Sequence, residues 1–155
     1  MCGPAIVFDN VSLRLGGTQV LEDVSFRVEA GALHCLVGPN GGGKTSLVRA
    51  LLGQMPHSGV VRFEGEVTAP VGYVPQLPDF DRNVPMTVND LMALFGQRRP
   101  AFLGANRSAR SANAEALSRT GMAGMGTKPF GSLSGGQRQR VLLAQAISPA
   151  PWLLI

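Results

Sequence analysis

The sequence is poor in several residue types. It holds 2 cysteines, 1 tryptophan and 1 tyrosine in 155 residues, and lysine occurs only at Lys44 and Lys128. Cys2 and Cys35 lie far apart in the chain, with no CxxC pairing and no ligand-like spacing to His34 or His57, which argues against a disulfide framework and against a zinc site. Cys35 is flanked by Leu33, Leu36 and Val37, so it reads as a small buried thiol, with His34 on the other side of the same strand. No apolar run approaches the length of a membrane-spanning helix. The start, "MCGPAIVFDN", lacks the basic residues and long apolar core of a secretory signal, so the expected compartment is the cytoplasm. Apolar residues make up 45% and charged residues 15%, with mean hydropathy +0.14, a globular composition rather than a disordered or fibrous one. A chain of this length can bury roughly 70% of its unfolded surface in one core. The basic excess of +4 is carried by arginine, four of them being Arg98, Arg99, Arg107 and Arg110. Phe102 is the single aromatic residue between them, too little to interleave and stack bases, so the stretch reads as solvated loop and no nucleic-acid partner is expected.

The pattern then resolves into elements. "VSLRL" sets Val11, Leu13 and Leu15 on one face and "VSFRV" sets Val24, Phe26 and Val28 on one face, two antiparallel strands joined by a "GGT" turn. "ALHCLV" is a nearly continuous apolar run suited to a central parallel strand, and it runs into "GPNGGGKTS" and a helix ending at Gly53. "VVRF" and "VGYV" read as a strand pair, followed by a loop rich in proline and acids. A helix is predicted to start at Thr87 with Asp90 three residues on, a second to cover about 111–120 and stop at Gly121, and a third to start at Ser134. The closing "WLLI" has the character of a strand buried on both faces. This order predicts an α/β fold with an inserted helical subdomain.

Two motifs carry chemistry. "GPNGGGKT" fits GxxxxGK[ST] between an apolar strand and a helix, the context that pattern requires. Glycines let the backbone close around phosphate oxygens, and the N–H groups then point inward as an anion nest. The helix N-terminus adds its positive end. Lys44 is placed to reach the outer phosphates and the Thr45 hydroxyl to ligate Mg²⁺. The nest assigns the phosphates of a nucleoside triphosphate to Gly38, Pro39, Asn40, Gly41, Gly42, Gly43, Lys44, Thr45 and Ser46. The second motif, "LSGGQ", places Ser134, Gly135, Gly136 and Gln137 at a helix start, a further anion site. Two incomplete phosphate sites in one chain point to a composite site.

In these motifs and in "VGYVPQ" and "LSGGQRQR" the sequence resembles the ATP-binding cassette ATPases, from about Val7 to Ile155. The resemblance implies a P-loop fold of that type with a mixed sheet core, an antiparallel N-terminal β-subdomain and an inserted helical subdomain. The corresponding bounds are 1–86 for β-subdomain and P-loop core, 87–130 for the helical part and 131–155 for signature helix and a final strand. It implies ATP and Mg²⁺ as ligands, with Gln76 sensing Mg²⁺ and the attacking water, and ATP sandwiched between the phosphate loop of one copy and the signature of another. Implied partners are a second copy, transmembrane subunits and, indirectly, an extracytoplasmic solute-binding protein, with the chain peripheral on the inner face of the membrane. Leu15 stands where the family usually has an aromatic residue stacking on adenine. "WLLI" resembles the strand that ends, in the family, in a Mg²⁺-holding Asp and a water-activating Glu, and it stops before both. The expectation is therefore that the C-terminal part is missing and that this length binds ATP but turns it over negligibly, Glu64, Glu66, Asp79 and Asp81 being solvated loop charges. "GYVPQLPDFDRNVPMTVNDLM" looks most like the zinc and manganese uptake ATPases. The alternatives are a non-hydrolysing nucleotide-binding module and a soluble ATPase of the same family acting on nucleic acid.

Overall fold

The computed structural model describes residues 3–66, 69–76, 84–96 and 107–155. Cys2, Asp79, Asp81, Arg98 and Arg99 lie outside them. The chain divides into two compact units, Met1–Thr68 and Ala69–Ile155.

The first unit holds an antiparallel sheet in the order β2-β1-β3, with β1 at Ala5–Leu15, β2 at Thr18–Val28 and β3 at Ser58–Glu64. Gly16 and Gly17, both at positive φ (53° and 85°), make the two-residue hairpin turn whose twist suits the flanking strands. Along β1 the buried set changes parity, from Ile6 and Phe8 to Val11 and Leu13, because the register slips between Phe8 and Val11. An irregularity of one residue there turns each later side chain to the other face. A further irregularity falls between Leu13 and Arg14, and Leu15 beyond it is exposed, not sharing the buried face of Val11 and Leu13 as the alternation predicted. Phe8 pairs with Phe26 across the strands, rings stacked at 4.4 Å. Glu64 is exposed but lies on β3 rather than in a loop, and Arg27 bonds it across β1 and holds its carboxyl below the ordinary range, with Arg62 adding to the effect. Glu66 is exposed, as expected.

The expected central strand over 32–37 is not formed. None of the described strands pairs with it, and Leu33 and Val37 are 95% and 91% exposed. An interior parallel strand is stabilised by ladder bonds on both edges and burial of both faces, and without them the apolar run has no local reason to be extended and covered. Cys35 is consequently exposed, not a buried thiol.

After the glycine-rich loop, α1 spans Lys44–Leu51 and packs Leu47 and Ala50 inward. It ends as the sequence indicated: Gly53, at φ 67°, donates to Ala50 O at 3.0 Å, and Gln54 donates to Arg49 O at 2.8 Å, the paired closure of a Schellman turn.

In the second unit β4 (Val71–Gly72) and β5 (Leu153–Leu154) pair in parallel. "VVRF" and "VGYV" are thus not partners: the first pairs with β1 and the second with β5. A parallel pair needs a long crossover, here built from α2 (Val88–Gly96), α3 (Arg107–Arg119) and α4 (Gly135–Ala146). The "WLLI" strand exists but is not buried on both faces, since Leu154 is 47% exposed. Helix α3 begins four residues earlier than the expected 111, so Arg107 and Arg110 lie on a helix rather than in a loop. Its end at Gly121 is another paired closure, Gly121 N to Ser118 O at 3.0 Å and Met122 N to Leu117 O at 2.7 Å. Met122 then joins Val88, Leu91, Met92, Leu117, Phe130, Leu133 and Val141 in the core.

Candidate nucleotide-binding site

Why the loop over 38–46 takes its shape is visible in three glycines. Gly42 N donates to Pro39 O at 3.2 Å, closing a turn, while Gly41 and Gly43 have φ of 83° and 79°, where a Cβ is strained. Gly43 is also pressed against β2. A Cβ there would lie 2.8 Å from Leu21 Cδ2 and 2.9 Å from the Val20 carbonyl oxygen. Strand β2 thus supports the loop from behind, a role for Val20 and Leu21 that no local pattern in the sequence could signal.

Gly43 is the N-cap of α1 and no side chain caps the helix. The N–H groups at the start of a helix have no partner within it, so those of α1 are left for a ligand. Across this mouth the Lys44 ammonium folds back and donates to Gly38 O at 2.8 Å and Pro39 O at 2.6 Å. The cation therefore stands over the same loop whose N–H groups favour an anion, held among the described residues by carbonyl dipoles that a phosphate can replace. Thr45 is exposed and its hydroxyl has no hydrogen-bond partner among the described residues, so it is free to ligate a cation. Among those residues no cluster of three His, Cys, Asp or Glu could hold a metal by itself. That donor set fits Mg²⁺, which binds through few protein oxygens together with phosphates and water.

The other predicted residues lie apart from this loop in the chain. Leu15 closes β1 with its side chain 41% exposed. In the second unit Gln76 follows β4 and is exposed. Ser134 caps α4 in a reciprocal box: its Oγ accepts from Gln137 N at 3.3 Å, and Gln137 Oε1 accepts from Ser134 N at 2.9 Å. A Cβ on Gly135 or Gly136 would meet nothing within 4 Å. Neither has a positive φ, so the fold of this unit gives no reason for glycine at two positions of a helix start, where glycine is unfavourable. The bare backbone there leaves room for an outside group to approach closely.

Fold and loop together define a P-loop α/β protein. The ABC transporter family model matches residues 21–155. The zinc import ATP-binding protein ZnuC of Ruegeria pomeroyi is 38% identical over 154 residues, covering 98% of this chain and 55% of that protein. ZnuC 2 of Hahella chejuensis is 40% identical over 148 residues, covering 94% and 55%. Among solved structures, a metal-chelate type ABC transporter in an inward-facing conformation aligns with TM-score 0.77 at 26% identity, over 94% of this chain and 57% of that one. A nucleotide-free ATP-binding cassette aligns with TM-score 0.80 at 22% identity, over 99% and 68%, and shares the fold. The chain belongs to the ABC transporter ATP-binding family. It spans about half the length of the curated relatives it matches.

Proposed function

We propose that this chain is the ATP-binding part of an ABC transporter ATPase that drives import of a divalent metal ion, zinc or manganese. The reading is supported most directly by Lys44, poised on two loop carbonyls over a helix start that no side chain caps. On binding, Lys44 exchanges those carbonyls for the outer phosphates of ATP, the N–H groups of Gly41 to Ser46 take the remaining phosphate oxygens, and the α1 dipole adds to the attraction. Mg²⁺, when bound, offsets phosphate charge; Thr45 and Gln76 are the residues assigned to hold it. Leu15 is assigned an aliphatic contact with adenine. Ser134, Gly135, Gly136 and Gln137 are assigned to the ATP held by a second copy, which suits a backbone that nothing in its own unit covers.

Within the cassette, 1–86 serves as β-subdomain and P-loop core, 87–130 as the helical part facing transmembrane subunits, and 131–155 as the signature helix and final strand. No helix among the described residues is long and apolar enough to cross a membrane, so attachment to the inner membrane face is assigned to those subunits, and contact with an extracytoplasmic solute-binding protein is indirect. Zinc rather than another cargo is supported by the ZnuC relatives.

The test is ATP binding by the chain and its Lys44→Ala variant. Charge-assisted hydrogen bonds contribute about 1.5–3 kcal/mol, so a 10- to 100-fold loss or more is expected. Equal affinity in a folded variant would refute the site. For the cargo, cells lacking the gene should need added zinc or manganese to grow, and a requirement for neither would remove the metal assignment.

A further inference from the structure

The start of α2 and the loop leading to the signature are laced together by backbone. Phe130 N donates to Met86 O at 2.8 Å, Val88 N to Lys128 O at 3.0 Å, and Asn89 N to Gly126 O at 2.8 Å, with Thr87 opposite Pro129 in an antiparallel bridge. Two of the N–H groups that a helix start leaves unpaired are thus used up by carbonyls of the signature loop. Thr87 and Asp90 lock this arrangement. The Asp90 carboxylate accepts from Thr87 N at 2.9 Å and from Thr87 Oγ1 at 2.6 Å, while Asp90 N donates to Thr87 Oγ1 at 3.2 Å. From Phe130 the chain has little freedom before Ser134. Ser132 N and Ser132 Oγ both donate to Pro129 O, at 3.1 and 2.7 Å, Leu133 N donates to Phe130 O at 3.2 Å, and Phe130 and Leu133 are both buried.

We infer that Thr87 and Asp90 are positioning residues for the signature: through this strap they fix where Ser134 and the bare Gly135–Gly136 backbone are presented to the nucleotide of a second copy. The inference rests on the composite-site reading above. Neither residue touches nucleotide in that reading, so their effect must pass through the strap.

The experiment compares wild type, Thr87→Val and Thr87→Ser by amide hydrogen exchange, with ATP affinity measured on the same samples. Loss of a helix cap typically costs enough to raise local opening about fivefold. Thr87→Val should raise exchange about fivefold over 126–137 while 139–146 and ATP affinity stay at wild-type values, and Thr87→Ser, which keeps the hydroxyl, should restore protection. The same Val variant should weaken ATP-driven pairing of two copies by a similar factor, again reversed by Ser. Unchanged exchange over 126–137, an equal rise throughout α4, or unaltered pairing would each overturn the inference. Failure of the composite-site reading is distinct: wild type would bind ATP but show no ATP-driven pairing of two copies, whatever exchange says about the strap.

Discussion

Replacing Gly43 with alanine adds one methyl group at the junction of phosphate loop and α1, and two costs can be read from its surroundings. The first is conformational. At φ 79° a side chain pays about 1–2 kcal/mol. The second is steric: the new Cβ would stand 2.9 Å from the Val20 carbonyl oxygen and 2.8 Å from Leu21 Cδ2. The Leu21 methyl can rotate aside, but the carbonyl belongs to β2 and moves only with its strand. Overpacking of this kind costs about 1–3 kcal/mol. Together they give about 2–5 kcal/mol, a large fraction of the stability of an ordinary domain. Gly41→Ala is the matched control, with φ 83° and nothing within 4 Å of its Cβ, so it carries the conformational cost alone. The single tryptophan, Trp152, lies in the other unit, so its fluorescence is the wrong probe. Hydrogen exchange over 44–51 and thermal melts by circular dichroism report on the junction itself. Gly43→Ala should lose protection across α1 and ATP affinity together, and Gly41→Ala should be the milder of the two. If both variants behave alike, the contact with β2 contributes nothing and the account of how the loop is supported is wrong.

The remaining expectations concern the second unit. Thr87 holds the Asp90 carboxyl below its ordinary value, first by its hydroxyl and then by its N–H. A depressed carboxyl contributes stability that is present above its unfolded value, about 4, and lost as pH falls through the folded value, so acid should loosen the α2 start in wild type and much less in Asp90→Asn. Melts between about pH 6 and pH 3 would check this, and identical profiles would contradict it. Gly72→Ala should destabilise the β4–β5 pair by about 1–3 kcal/mol, because its Cβ would meet the backbone oxygen of Ala146 and lie 3.1 Å from Leu154 Cδ1. Here Trp152 fluorescence is a suitable reporter, since Trp152 N bonds Pro70 O at 3.1 Å beside that pair. A wild-type denaturation midpoint in Gly72→Ala would count against it.

What the sequence determined by itself was local. Gly16–Gly17, Gly53, Gly121, Thr87–Asp90 and Ser134 act within a few residues of chain, and each forms the turn, stop or cap that its pattern indicated. The turn of the glycine-rich loop over 38–46 and the helix start at Ser134 were legible for the same reason, being short runs whose backbone requirements are written in consecutive residues. Where an outcome depends on a partner distant in sequence, pattern alone did not decide it. The irregularity after Leu13, past which Leu15 is exposed, the pairing of β4 with β5 instead of β3, and the ion pair of Glu64 with Arg27 are all cross-strand events. Residues 32–37 show the same limit most clearly. Their apolar composition suits a buried strand, yet burial is conferred by neighbours, and an apolar run that no described strand pairs with stays exposed. Tertiary structure likewise decided that Val20 and Leu21 back the phosphate loop and that α2 holds the signature loop, since in both cases backbone from one segment satisfies or confines backbone from another.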